Sequence, residues 1–316
     1  IPVIWKRHFS LSWIYITDET IDTFPRPYTI ARYGDLKNKK IALTFDDGPD
    51  ETFTPQILEI LKQENVPATF FVIGENAEKY PSITSRIYNE GHTLGNHSFS
   101  HPDISKIGHT RTELELISTE RIIESITGHK MLLWRPPYGE DIEPETPSQV
   151  QPLINSNALG YVTVGMKIDP NDWANPWVDL IVNRTIEQIQ SWRGNIILLH
   201  DAGGKRVETI QALPILIQRL KKLWYQFVGV NNLLGISRED VMPIVQGNDA
   251  IFKNINHIFF IFFTTILWWI YYVFMVTLIF GVLRLLMVII FAFLEKYHFN
   301  PRRIYDTQWN ISVSVI

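Results

Sequence analysis

Lys39-Lys-Ile-Ala-Leu-Thr-Phe-Asp-Asp-Gly-Pro49 is a short apolar run that ends on two adjacent carboxylates and a turn. Ile41 to Phe45 reads as a buried strand, and Gly48-Pro49 turns the chain sharply. Two acids at the C-terminal end of a buried strand are costly unless a cation or hydrogen bonds hold them. Taken alone, an Asp-Asp-Gly-Pro turn is mostly two surface aspartates. It becomes chemical only where other ligands and acid–base groups arrive at the same place.

Working outward, strand-like apolar runs recur at 41–45, 68–73, 92–96, 131–134, 161–164, 196–199 and 227–230. Helical patterns lie between them. One opens with Thr54 as N-cap and Pro55 at the first helical position, with Ile57, Leu58 and Leu61 on one face. Others fall near 81–90, 109–127, 147–158, 176–192 and 206–224, with Asn175-Pro176 again giving a cap followed by proline. Strands alternating with helices imply a parallel sheet with right-handed crossovers. Seven or eight such units most naturally close into a (β/α) barrel, with an open doubly wound sheet as the alternative. No Gly-x-Gly-x-x-Gly follows the first strand, which argues against a dinucleotide site. The acidic stretch 140–147 is expected to be a loop on the rim.

In such barrels the chemistry sits at the C-terminal ends of the strands. There this chain places Asp46 and Asp47, then Asn96-His-Ser-Phe-Ser-His101, Arg135-Pro-Pro-Tyr-Gly139, Asp169-Pro-Asn-Asp-Trp173 and His200-Asp201. His97 and His101 are four apart, a spacing that puts both imidazoles on one face of a helical turn, although such pairs are often only surface residues. With Asp47 they would make two nitrogens and one oxygen, and three protein ligands with an open position describe a catalytic zinc site. His92, roughly 16 Å from His97 along a strand, cannot share that metal and is expected to be structural; His109 and His129 are expected in loops. Asp46 is the candidate base. Arg135 would hold that carboxylate ionised, or else form a plain structural ion pair. His200 is the candidate acid, oriented by Asp172. Trp173 is equally compatible with an apolar wall of the site and with a core tryptophan.

Composition bounds the function. The 316 residues carry a net charge of −4, so nucleic acid is not an expected partner. With no cysteine there is neither a disulfide framework nor a thiolate metal site. The N-terminus shows no charged start followed by a short apolar run, so no signal peptide is expected there, and the chain is read as a fragment or as one stripped of its start.

The series TFDDGP, NHSFSH, RPPYG, DPNDW and LLH, in that order over residues 38–240, resembles the polysaccharide deacetylase (NodB-like) family, also called carbohydrate esterase family four. The resemblance implies a distorted (β/α) barrel, a divalent metal (usually zinc) and hydrolytic removal of acetyl groups from N-acetylglucosamine-type polymers. It implies Asp46 as base, Asp47, His97 and His101 as metal ligands, and Arg135 as the residue positioning the base. It further implies that the Tyr138 backbone N–H stabilises the oxyanion, that Asp172 partners the acid His200, and that Trp173 and Leu198 line an acetyl pocket. The competing readings are an inactive carbohydrate-binding module in a polysaccharide synthase, an O-acetyl esterase, and a metal-free glycosidase.

From Ile258 to Leu283 there are 26 residues without a charge, and Leu285–Leu294 continues apolar after Arg284. A membrane span needs about 20 such residues, so 258–294 is expected to cross a membrane once, with a second, shorter span as the alternative. Lys253 precedes it, whereas Lys296, Arg302 and Arg303 follow it, which puts the C-terminal side in the cytoplasm. Residues 1–37 read as a linker or the tail of a preceding domain, and 241–257 as a linker. The alternation in 310–316 resembles the opening strand of a family-two glycosyltransferase, and 18–34 resembles the linker after a glycoside hydrolase domain.

Overall fold

The structure is a computed structural model and describes residues 3–5, 30–33, 36–139, 147–191, 194–246 and 248–298. The chain falls into two compact units, Ile1–His257 and Ile258–Ile316.

In the first unit the strand read from Ile41 to Phe45 is β3 (Lys40–Asp46), buried along its whole length after Lys40. It lies between β4 (Ala68–Val72) and β8 (Ile196–His200), parallel to both. Beyond β4 come β5 (Thr93–Asn96), β6 (Leu133–Trp134) and β7 (Val162–Val164), all parallel. The chain just past β7 then returns to β8. Ile168 bridges to Ile197, and Leu198 N–H donates to the Ile168 carbonyl at 2.9 Å. Six parallel strands thus curl into a ring whose seam, among the described residues, is that one bridge. The expected seventh strand, β9 (Gln226–Phe227), pairs only with Lys40 and Ile41 of β3. The architecture is therefore a distorted barrel rather than a complete (β/α)8 ring. Within the stretch read as a linker, β1 (Val3–Trp5) pairs antiparallel with β2 (Ile30–Tyr33), which in turn runs parallel to β7.

Helices cover the ring. α1 (Thr54–Glu64) buries Ile57, Leu58 and Leu61, the face expected from their spacing. Its N-cap is Phe53, and Thr54 is already helical because its hydroxyl is used elsewhere, on Asp50 and Asp201. α2 (Gly74–Lys79) was not expected; with six residues it is too short to show a period. α3 (Pro81–Asn89), α4 (His109–Thr127), α5 (Pro147–Ala158) and α7 (Val207–Lys222) follow the sequence pattern. α6 (Val178–Gln190) starts later than Asn175-Pro176 suggested, since Asn175 ends a short 3-10 turn in the left-handed conformation. α8 (Val230–Leu233) and α9 (Arg238–Val241) close the unit. His92 is buried, with Nδ1 accepting from Ala68 N–H, and is structural as expected. His109 corrects its loop assignment by opening α4, where it faces Glu113.

Phe45 stacks on Phe70 at 5.0 Å, and both are fully buried with Phe71 and Trp134. Full burial of such a side chain is worth about 1.5–3 kcal/mol. Gly95 makes room for Phe71, because a Cβ there would meet the ring at 2.5 Å. Phe71 in turn carries the Arg135 guanidinium 4.2 Å over its face, so a core position controls a polar group of the site.

Helix α10 (Asn248–His298) runs from the end of the first unit into the second and contains Thr265–Tyr297, a stretch with an 18-residue window of mean hydropathy 2.7, long and apolar enough to cross a membrane by length and composition. It starts before the expected 258, inside the stretch read as a linker. Residues 299–316 and the 140–146 stretch lie outside the described residues.

Candidate active site

Parallel register decides which side chains meet. Asp46 of β3 and His200 of β8 are register partners, so they emerge on the same face at the C-terminal end of adjacent strands. Two residues earlier, Thr44 points the same way. Arg135, fully buried just after β6, reaches across the ring to both: Nη1 donates to Asp46 Oδ1 at 2.7 Å and to Thr44 Oγ1 at 2.8 Å. Its Nε donates to the Val164 carbonyl at 3.0 Å. A buried guanidinium with its donors so placed fixes the carboxylate in one orientation. Arg135 is thus an ion pair, and one that ends on the candidate base.

Asp47 turns away in the left-handed region (φ 75°) and meets the two histidines. Its Oδ1 lies 3.4 Å from His97 Nε2 and 3.3 Å from His101 Nε2. Two ligand atoms bound to one tetrahedral zinc at about 2.1 Å are about 3.4 Å apart, so the spacing fits such an ion. The donor chemistry fits as well. His97 Nδ1 donates at 2.7 Å to the Arg135 carbonyl, which leaves the Nε2 lone pair facing Asp47. All three ligand atoms lie within 4.8 Å of one another. Burial tends to raise the Asp47 carboxyl, but the close approach of the His101 and His97 imidazoles outweighs it and holds it well below the usual carboxylate range. The histidines do not converge by helical spacing. Residues 97–101 form a loop in which Ser98 (φ 66°) and His101 (φ 54°) are left-handed.

On the other side of Asp46, His200 Nδ1 bonds to Asp172 Oδ1 at 2.8 Å. Asp172 also accepts from His200 N–H at 2.9 Å and from Thr209 Oγ1 at 2.8 Å, which holds it in place. Burial would lower the imidazole, yet the bond and charge of Asp172, with Asp46 and Asp47 behind, push it up to about 9. His200 is therefore an imidazolium at neutral pH, and its Nε2 is the ring nitrogen left for the cleft.

These groups line a cleft of about 430 Å³ with Tyr138, Trp173, Leu198, Met166 and Asp169. Trp173 is 55% exposed and borders the cleft, so it is not a core tryptophan. Tyr138 (φ 60°) sits edge-on to His101 at 4.8 Å. Gly203 (φ 73°) is required behind Asp47, since a Cβ there would lie 2.3 Å from Oδ2. Asp201 is wholly buried, accepts from Thr54 Oγ1 at 2.6 Å, and is pushed up to about 7 by burial and by Asp47 and Asp46. All ten residues singled out in the sequence thus border one cleft or touch a residue that does.

A model of the family described as "Polysaccharide deacetylase" matches residues 33–157. The peptidoglycan-N-acetylglucosamine deacetylase of Bacillus cereus (strain ATCC 14579) is 39% identical over 213 residues, covering 67% of this chain and 74% of that protein. The chain belongs to the polysaccharide deacetylase family. A further member, the chitooligosaccharide deacetylase of Bradyrhizobium sp. (strain ANU 289), is 34% identical, covering 61% of this chain and 90% of that protein. The crystal structure of the Bc1960 peptidoglycan N-acetylglucosamine deacetylase matches with a TM-score of 0.61 and 38% identity, over 67% of this chain and 95% of that one. As a polysaccharide deacetylase this protein is a hydrolase, and its Asp47–His97–His101 cluster can hold a metal ion.

Sequence reading missed the supports of this deacetylase site. Thr44 could have been found, since it precedes Asp46 by two in a strand and must share its face. Glu115 on α4 had no such signal among the other acids of that helix.

Proposed function

We propose that this polysaccharide deacetylase is a metal-dependent N-deacetylase acting on polymers that contain N-acetylglucosamine. The observation that carries the reading is the set of three ligand atoms around one centre, with a buried carboxylate and an imidazolium beside it. A divalent cation held by Asp47, His97 and His101, most naturally zinc, would polarise the amide carbonyl and lower the pKa of water. Asp46, oriented by Arg135, accepts the proton of the attacking water. The Tyr138 backbone N–H donates to the oxygen of the tetrahedral intermediate. His200 Nε2 then protonates the departing sugar amine, so that the C–N bond breaks and acetate is released. Trp173 and Leu198 enclose the acetyl methyl. The relatives named for peptidoglycan and chitooligosaccharides support an N-acetylated polymer as substrate.

The test is acetate release from N-acetylglucosamine oligomers, run beside an O-acetylated sugar ester across pH. Release from the amide is expected, with the rate falling as pH rises through about 9 and His200 loses its proton. Cleavage of the ester alone would replace this reading by an esterase.

The catalytic unit is proposed as 38–240, anchored by 258–294 with the C-terminal side in the cytoplasm and the cleft outside, facing cell-surface polymer. The positive charges after the span support that orientation. Protease added to intact cells should then cut at 140–147, and protection there would reverse the topology. Residues 295–316 are proposed as the start of a fused glycosyltransferase, on their resemblance to its opening strand.

A further inference from the structure

We propose that Glu115 is a positioning residue that sets the spacing of the two histidine ligands, acting from α4 through the backbone of the Phe99–Ser100 turn. The inference rests on the metal reading above and extends it to a residue outside the cleft. His97 and His101 are joined by a loop with a left-handed, non-glycine residue near each end, Ser98 and His101. Each such conformation is strained for an L side chain and persists only where its surroundings over-determine it.

The loop's N–H groups show what does so. His97 N–H donates to the Val72 carbonyl at 3.0 Å, and Ser98 N–H to Asn96 Oδ1 at 2.9 Å. Phe99 and Ser100 N–H both donate to one oxygen of Glu115, Oε2, at 2.9 and 2.7 Å. The Ser100 hydroxyl donates to Oε1 at 2.9 Å. From the far side, Gly74 and Glu75 N–H at the start of α2 donate to the Ser98 and Phe99 carbonyls at 2.9 and 3.0 Å. The half of the loop nearest the first ligand is thus tied to β4 and β5, and the half nearest the second is tied to Glu115.

Glu115 is itself held. Its side chain is 2% exposed, and Arg111, one turn earlier on α4, donates to Oε1 through Nε at 2.9 Å and Nη2 at 2.8 Å. Burial would raise the Glu115 carboxyl, but the bonds from Ser100 and Arg111 more than offset it, so it stays a carboxylate. A fixed, ionised acceptor taking three loop donors is a strong anchor. His101, next in the chain to the anchored Ser100, has a side chain 25% exposed and so little packing of its own to hold it.

A residue that merely glued α4 to the barrel would change stability and leave the folded protein's grip on metal alone. The experiment separates the two in the full chain. Zinc affinity is measured by competition with a chromophoric chelator, well below the melting temperature of the zinc-free protein, which is recorded in parallel. Glu115→Ala is expected to weaken zinc binding about 10- to 100-fold, the range for partners that orient metal ligands. Glu115→Gln keeps one oxygen for the two backbone donors and is expected to restore most of the affinity. Glu115→Asp keeps the charge but not the reach, and is expected to bind zinc more weakly than Gln; it stands in should the alanine variant not fold. Lower melting with zinc affinity unchanged in the Ala or Asp variant would overturn the proposal. Absence of zinc binding by the unaltered chain would overturn the metal reading with it.

Discussion

Removal of divalent metal with a chelator is expected to bring acetate release from N-acetylglucosamine oligomers to background, and added zinc is expected to restore it. The physical reason is the weakness of what remains. A carboxylate and an imidazolium can move protons, but an amide carbonyl attacked by unactivated water has an electrophile and a nucleophile that are both poor. Asp47 Oδ1 lies from each histidine Nε2 at the separation that two ligands of one tetrahedral ion show, and all three atoms lie within 4.8 Å of one another. His101→Ala should reproduce the loss without the chelator, because its partly exposed ring can be removed with less damage to packing than the buried His97. Equilibrium dialysis against zinc measures the accompanying loss of affinity. Turnover indifferent to chelation, in a preparation shown to be metal-free, would refute the ligand set.

Asp46→Asn is expected to lower kcat by a factor of about 10² to 10⁴, the usual contribution of a positioned general base. That corresponds to about 3–5 kcal/mol in the activation barrier. Zinc stoichiometry should stay as it was. Asp46 Oδ2 is 3.9 Å from His97 Nε2 and belongs to no ligand cluster, whereas Oδ1 is taken by Arg135. The asparagine carbonyl can still accept from Arg135, which limits the disturbance of the buried pair. Single-turnover acetate release with matched zinc content is the measurement. A rate within a few-fold of the unaltered chain would mean that the base is another of the cleft's carboxylates, with Asp169 next in position.

Much of the site was legible because β/α architecture converts sequence order into spatial order. Asp46, His97, Arg135 and His200 each lie at or just past the end of a strand, Asp172 lies in the segment after β7, and parallel strands bring their C-terminal ends to one rim. The sequence left two readings each for Arg135 and Trp173; the structure puts the guanidinium on Asp46 and leaves the indole exposed on the cleft. The two histidines were paired for a reason that does not operate. Four residues of helix would bring them together, yet left-handed turns held from α2 and α4 do so instead. Glu115 could not have been singled out, since its loop partner is fixed by how α4 packs, which no local pattern encodes. The ring's distortion was equally hidden. β9 has two residues in register with β3, and nothing in the run 227–230 says that its pairing stops there.

The join between Ile168 and Ile197 has a bearing on proton delivery. Asp172 hangs from the segment on one lip of that join and His200 from the strand on the other. The donor is thus assembled across the ring's thinnest seam, from halves that no continuous ladder locks together. Side-chain bonds do that work instead: Asp172 accepts from His200 N–H and Nδ1 on one lip and from Thr209 of α7. The proposed acid thus depends on hydrogen bonds across the seam, whereas Asp46 and Asp47 ride on a strand that is laddered to its neighbours on both sides.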